Sequence, residues 1–231
     1  MTTTLILLPG LLNDSRLWRH QARTLSAGRE VLFADLTQDD SLSAMAERVL
    51  AVAPRRFCLA GLSMGGYACM EIMRRSPERV ERLALLDTTA RPDLPDQTQR
   101  RLDAIGIAKA GGFDKIMPTM LPNLLCAKSL ADAAITTLAK DMARTVGRDA
   151  FVRQQTAIMG RPDSRESLAS VRCPTLLLCG AEDALTPLDR HQEMAALIPG
   201  STLVSIPDSG HLAPLENPDA VTGALLRWLE E

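Results

Sequence analysis

The sequence predicts an α/β protein built on a mostly parallel sheet of six strands, with helices on both faces and a helical insertion after the fourth strand. Six short apolar runs are nearly continuous rather than alternating, which is typical of parallel strands buried on both faces. Helical patterns separate most of these runs, and strand alternating with helix indicates right-handed βαβ units. The runs that we expect to form strands lie at residues 4–8, 31–35, 57–62, 83–87, 175–179 and 202–206.

Five amphipathic segments between and after these strands are expected to cover the two faces of the sheet. Ser41 or Ser43 is a candidate N-cap for the second segment, and Pro54 ends it. The last two segments begin with proline, which a helix accepts in its first turn. The five segments lie at residues 17–26, 42–53, 64–75, 187–198 and 218–229.

A long connection follows the fourth predicted strand. More than eighty residues separate it from the fifth strand, whereas a simple crossover needs about a dozen or more. Helical periodicity recurs in this connection at 102–110, 130–146 and 150–158, and glycines and prolines interrupt it. We therefore predict one domain over residues 1–231, in which residues 91–170 form a helical cap over one end of the sheet.

Composition and charge exclude several kinds of partner. The chain has 231 residues and a formal net charge of −2, and its basic residues are scattered, so we expect no nucleic-acid partner. No stretch approaches the roughly 18 uninterrupted apolar residues of a membrane span, and the first residues lack a signal-peptide pattern. We expect a cytoplasmic protein. The five cysteines match no zinc spacing and indicate buried free thiols.

The segment "FCLAGLSMGGYACM" places a serine between a predicted strand and a predicted helix. Gly61 and Gly65 stand two residues before and two residues after Ser63, and small neighbours are what a strained strand-to-helix turn requires. Such a turn presents the serine hydroxyl at the carboxyl edge of the sheet, beside the positive end of a helix. Ser63 is therefore a candidate nucleophile. The alternative is a glycine-rich turn that only packs the helix closely on the strand.

A serine nucleophile needs a base, and the chain has three histidines. His20 and His191 fall inside predicted helices, where surface or packing roles are the simpler interpretation. His211, in "SIPDSGHLAPLENP", lies in a loop beyond the carboxyl end of the sixth strand, at the edge where Ser63 emerges. His211 is the candidate base.

The candidate acid is Asp183, in "LLLCGAEDALTP", just past the fifth strand and at the same edge of the sheet. The chain order is then serine, aspartate, histidine, which is the order of one hydrolase fold and not of the two other common arrangements. Asp87, at the end of the fourth strand, is the main rival, because an acid there could also reach the histidine. Glu182, Asp189 and Asp208 are the remaining acids near this edge.

The first strand ends in Pro9-Gly10, and the backbone N–H of Leu11 follows this turn. Together with the N–H of Met64, the residue after the candidate nucleophile, it would form a two-donor oxyanion hole.

These stretches together resemble the α/β-hydrolase superfamily, from Leu5 to the last helix. The resemblance implies the α/β-hydrolase fold with six parallel strands in the spatial order 2-1-3-4-5-6, and Pro9 stands where the family usually has histidine. Because the first predicted strand already begins at residue 4, we do not expect the two antiparallel strands that often precede it in the family. The matching motifs are the turn at Pro9-Gly10, the nucleophile elbow at 61–65, the acid turn at 180–183 and the Gly210-His211 loop.

The motifs predict a serine hydrolase that cleaves a small carboxylic ester and needs neither a metal nor an organic cofactor. His211 would take the proton of Ser63, Asp183 would orient the imidazole, and the N–H groups of Leu11 and Met64 would receive the oxyanion. Lactonase, thioesterase and carbon–carbon bond hydrolase remain alternatives on the same residues. A non-catalytic ligand-binding or receptor protein of this fold is the alternative from another class. The oligomeric state stays open.

Methionines near the breaks of the insertion are candidates for an apolar substrate pocket. Flexible thioethers suit an adaptable wall, although methionine in a helix more often belongs to the core. With Leu11 and Met64 at the sheet edge, the candidate lining residues are Leu12, Met117, Met120 and Met159.

Arg91 follows the fourth strand at the entrance to the predicted cap. Its guanidinium could pair with a carboxylate on the substrate, and Arg161 and Arg165 could share that role. The alternative is that Arg91 pairs with Asp87 or Asp93 and ties the cap to the core.

Overall fold

The computed structural model describes residues 3–230, and six strands within this range form one sheet in the order β2-β1-β3-β4-β5-β6. Every neighbouring pair is parallel, so the predicted fold class and strand order are confirmed. Residues 1, 2 and 231 of the predicted domain lie outside the described residues. The strands are β1 (Leu5–Leu8), β2 (Val31–Phe33), β3 (Phe57–Leu62), β4 (Val80–Leu86), β5 (Thr175–Gly180) and β6 (Thr202–Ile206).

The inner strands are buried on both faces because their side chains are apolar at successive positions. Every residue of β1, β3 and β5 is buried, whereas the edge strands β2 and β6 are partly exposed. Alternation along β1 divides the core: Leu5 and Leu7 pack in one hydrophobic cluster, and Ile6 and Leu8 pack in the other. Helices on both faces close these two clusters.

The helices outside the insertion lie close to their predicted positions. The first predicted segment divides into a 3₁₀ turn, Ser15–Trp18, and a helix, because the Asp14 carboxylate accepts the N–H of Arg16 and caps the turn. Ser41 caps the second helix by accepting the N–H of Ala44. The predicted helices are α1 (Arg19–Leu25), α2 (Leu42–Val52), α3 (Met64–Arg75), α10 (Leu188–Leu197) and α12 (Pro218–Glu230), and α11 (Ala213–Glu216) is a short helix that the sequence did not predict.

Six α-helices lie between β4 and β5 within residues 3–230, where the sequence predicts a helical insertion. The first begins at Pro95 rather than at residue 102, since proline starts the helix and Gln97 accepts the N–H of Leu94 there. No helix in the described part of the chain is long and apolar enough to cross a membrane. The six are α4 (Pro95–Ile107), α5 (Ile116–Leu124), α6 (Ala127–Leu130), α7 (Ala133–Val146), α8 (Arg148–Met159) and α9 (Arg165–Leu168).

Helix α3 approaches the sheet so closely that two of its contacts leave no room for a side chain. A Cβ on Gly65 would overlap the backbone carbonyls of Leu8 and Pro9, and a Cβ on Gly61 would overlap the backbone of Gly65. Because backbone atoms cannot step aside as a side chain does, only glycine permits this approach. The approach places the first turn of α3 directly beside the end of β1.

Gly65→Ala is expected to lower the free energy of unfolding by at least about 2 kcal/mol, because the added methyl group overlaps the backbone of Leu8 and Pro9. Gly106→Ala is the matched control. Gly106 lies on the exposed side of α4, where a Cβ would meet no atom within 4 Å, so alanine there should raise the free energy of unfolding by about 0.5–1 kcal/mol. Urea titrations followed by circular dichroism measure both, and equal effects of the two substitutions would contradict the packing account.

Candidate active site

Ser63 sits at the turn between β3 and α3 in a backbone conformation that non-glycine residues seldom adopt. Its φ is 53° and its ψ is −113°, outside the common regions for an L-residue. The N–H of Ser63 donates to the carbonyl of Leu86, and the hydroxyl of Thr88 donates to the carbonyl of Ser63. These bonds from the end of β4 hold the strained residue in place.

The side chains of Ser63, His211 and Asp183 form one continuous chain of hydrogen bonds. His211 Nε2 lies 2.8 Å from Ser63 Oγ, and His211 Nδ1 lies 2.9 Å from Asp183 Oδ2. The three residues follow β3, β5 and β6, whose carboxyl ends meet at one edge of the parallel sheet. His211 and Asp183 are each 4% exposed. The arrangement has the geometry of a nucleophile, a base and an orienting acid.

Asp183 is held as an ionised carboxylate by its neighbours in the β5–α10 turn. Its Oδ1 accepts the N–H groups of Leu185 and Thr186, and its Oδ2 accepts the Thr186 hydroxyl at 2.6 Å. Burial alone would raise the pKa of Asp183, but the His211 charge and the hydrogen bonds from His211 and Thr186 outweigh it and hold that pKa well below its ordinary value. Sequence reasoning missed Thr186, although an Asx-type turn before a proline was a signal for it.

Glu216 braces the loop that carries His211. Its Oε1 accepts the N–H groups of Gly210 and Leu212, on either side of the histidine, and its Oε2 accepts the N–H of Cys126. The N–H of His211 donates to the carbonyl of Leu124 at the end of α5. The insertion therefore contacts the His211 loop directly. Sequence reasoning missed the role of Glu216, which stands in the quoted "PLENP".

The backbone N–H groups of Leu11 and Met64 are the two predicted oxyanion donors. Neither donates to an acceptor within residues 3–230. The next residue, Leu12, has a φ of 58°, and its N–H donates to the side chain of Gln154 at 3.1 Å. Gln154 comes from α8, is fully buried and also donates to the carbonyl of Leu36, so the insertion fixes this turn. The sequence carried no signal for Gln154.

Asp87, the rival acid, makes no hydrogen bond to His211 in the described chain. Its Oδ1 accepts the N–H of Gly180, and its Oδ2 has no hydrogen-bond partner among residues 3–230. Burial and the nearby Asp183 charge raise the pKa of Asp87 well above its ordinary value. His191 is also buried, and its Nε2 accepts the N–H of Thr88. Asp87 and His191 are thus not members of the Ser63–His211–Asp183 chain of hydrogen bonds within the described residues.

A cavity of about 320 Å³ opens beside Ser63 and His211. Leu11 and Met120, two of the predicted pocket residues, line it. Its wall mixes apolar side chains with uncharged polar groups and arginines from the insertion. The other lining residues include Tyr67, Gln97, Arg100, Arg101, Asn123, Leu124, Gln155, Ile158, Arg161 and Leu212.

Four predicted apolar pocket residues lie away from this cavity. Leu12 and Met117 pack in the hydrophobic core, where they are 0% and 3% exposed. Met159, a half-buried residue at the end of α8, does not line the cavity, although its neighbour Ile158 does. The side chain of Met64 is also buried in the core.

Arg91 also lies outside the cavity lining. Its guanidinium is 44% exposed and pairs with Glu193 of α10 at 2.9 Å, rather than with Asp87 or Asp93. Arg165 also reaches Glu193, at 3.8 Å, and pairs more closely with Asp163. Of the three predicted arginines, only Arg161 faces the cavity.

The model of the alpha/beta hydrolase family matches residues 5–224. This chain belongs to that family. Among proteins with a described activity, it is similar to the pimeloyl-[acyl-carrier protein] methyl ester esterase of Aromatoleum aromaticum. The two are 25% identical over 233 residues, which cover 93% of each chain.

Two solved structures of the alpha/beta hydrolase fold superpose closely on this chain. One is a thermophilic esterase from Thermogutta terrifontis, solved with malate bound, which is 29% identical to this chain. The superposition has a TM-score of 0.91 and covers 100% of this chain and 90% of the esterase chain. The enol-lactonase of Burkholderia xenovorans LB400 has a TM-score of 0.91 at 23% identity, covering 100% of this chain and 92% of its own. The second likeness shows the fold alone.

His191 is expected to make stability depend on pH, because burial lowers its pKa from 6.5 to about 4 against the pull of the Asp183 charge. Between pH 4 and pH 6.5, His191 is mostly protonated in the unfolded chain and mostly neutral in the native protein. The contribution of His191 to the free energy of unfolding is therefore fully present above pH 6.5 and is lost as the pH falls toward 4. From pH 7 to pH 5, the free energy of unfolding should fall by about 1–2 kcal/mol more for wild type than for His191→Gln.

Chemical denaturation at several pH values measures this difference. The matched control is His20→Gln, which replaces a half-exposed histidine that pairs with Asp219. In this variant the free energy of unfolding should change with pH nearly as it does in wild type. Parallel pH profiles for wild type and His191→Gln would contradict the assignment of His191 as a buried neutral base.

Proposed function

We propose that this protein is a serine hydrolase that cleaves a small carboxylic ester through an acyl-enzyme on Ser63. The observation that carries the proposal is the continuous hydrogen-bonded chain from Ser63 Oγ through His211 to Asp183, at the wall of a cavity large enough for a small molecule. The relatives that are named as esterases support a hydrolase of ester-type substrates.

In the first half-reaction His211 Nε2 takes the proton of Ser63 as Oγ attacks the acyl carbon of the ester. Asp183 holds the opposite ring nitrogen and stabilises the imidazolium. The N–H groups of Leu11 and Met64, which have no acceptor among residues 3–230, receive the oxyanion. The ester C–O bond then breaks, and the proton passes from His211 to the departing alkoxide.

In the second half-reaction water attacks the acyl-enzyme. His211 takes a proton from the water, the same two N–H groups hold the second oxyanion, and the acid product leaves as Ser63 regains its proton. Lactones, thioesters and carbon–carbon bonds next to a carbonyl would enter the same sequence of steps. A panel of esters, lactones and thioesters of graded length distinguishes these substrates.

Ser63→Ala is expected to lower kcat for 4-nitrophenyl acetate by about four orders of magnitude or more, since the nucleophile is lost while the oxyanion donors remain. It should also abolish covalent labelling by a fluorophosphonate probe. Steady-state absorbance assays and intact-mass spectrometry measure the two effects.

Ser26→Ala is the control variant, because Ser26 lies on an exposed turn after α1 and should label and turn over like wild type. Near wild-type turnover by folded Ser63→Ala would contradict the nucleophile assignment. A wild-type protein that neither labels nor hydrolyses any ester in the panel would favour a ligand-binding protein of the same fold.

A further inference from the structure

The cavity beside Ser63 has positively charged walls. Three arginines line it, Arg100 and Arg101 from α4 and Arg161 from the segment after α8. No aspartate or glutamate in the described part of the chain lines it. A neutral ester has no charged group that could pair with these guanidiniums, so ester cleavage alone does not explain the positive charge of the cavity.

Two of the guanidiniums share a single buried carboxylate. Arg101 Nε lies 2.7 Å from Asp93 Oδ2, and Arg161 Nη1 lies 2.6 Å from Asp93 Oδ1. The Asp93 side chain is 2% exposed and can neutralise only one of the two charges. One positive charge is left over at the cavity wall. Arg100 pairs with Asp96 in an exposed ion pair that solvent screens, so it adds little to this balance.

Both guanidiniums are held in position before any ligand arrives. The side chain of Arg161 is 4% exposed, its Nε donates to the carbonyl of Arg91, and its guanidinium carbon lies 4.5 Å from the centre of the Tyr67 ring. Arg101 Nη1 donates to Gln155 Oε1 at 2.8 Å. A fixed and poorly solvated guanidinium binds a carboxylate more strongly than a mobile surface residue does.

We propose that the preferred substrate carries an ionised carboxylate in addition to its ester group, and that Arg101 and Arg161 bind this carboxylate. The proposal rests on the ester hydrolysis proposed above and names its substrate class: the half-esters of small dicarboxylic acids. Bound there, the carboxylate supplies the negative charge that Asp93 alone does not. This role falls to Arg101 and Arg161, and not to Arg91, whose side chain pairs with Glu193 at the surface.

The test compares monomethyl adipate with dimethyl adipate, in which the second carboxylate is masked. Wild type should prefer the half-ester by at least about tenfold in kcat/KM, and Arg101→Gln should lower that preference ratio by about tenfold, mainly through KM. The matched control is Arg91→Gln, an arginine outside the cavity, which should keep the ratio within about twofold of wild type.

A binding measurement on wild type requires neither turnover nor a variant that folds. Saturation-transfer NMR should show adipate bound more tightly than hexane-1,6-diol. In a second experiment, which does require turnover, adipate should inhibit the hydrolysis of 4-nitrophenyl acetate competitively. Equal kcat/KM values for the two esters, together with equal binding of adipate and the diol, would overturn the proposal. In that case the proposed ester hydrolysis would still be supported if Ser63 is required for hydrolysis of 4-nitrophenyl acetate. If wild type does not hydrolyse 4-nitrophenyl acetate at all, it is the proposed function that fails.

Discussion

The close approach of α3 to the ends of β1 and β3 is the constraint on which the rest of the site depends. Gly61 and Gly65 allow backbone to meet backbone there, and Ser63 is left in a strained conformation at the turn. The same approach places the start of α3, where Met64 stands, beside the turn after β1 that leads to Leu11. One packing contact therefore sets both the proposed nucleophile and its proposed oxyanion donors.

The sheet and the strand-end residues were predictable because their signals are local and dense. Continuous apolar runs mark the buried strands, and a residue just after a parallel strand must reach the same edge as its counterparts, as Asp183 and His211 do. The cavity lining was not predictable in this way. Met117 and Met120 stand on one helix, and only the packing of that helix decides that Met120 lines the cavity and Met117 the core.

The insertion contributes to the site as much as the sheet does. Gln154 holds the turn after β1, the Leu124 carbonyl holds the His211 loop, and Arg101 and Arg161 give the cavity its charge. All of these contacts join residues that are far apart in the sequence, so no short sequence motif could predict them. The sheet edge carries the residues proposed for acyl transfer, and the insertion carries the residues that would determine substrate specificity.

The most direct test of the proposed acyl-transfer site is a crystal structure of the protein after reaction with an aryl phosphonate, which mimics the tetrahedral intermediate. The account predicts phosphorus bonded to Ser63 Oγ, with one phosphoryl oxygen about 2.7–3.1 Å from the backbone nitrogens of both Leu11 and Met64. Phosphorus on any other residue, or a phosphoryl oxygen turned away from both N–H groups, would contradict it.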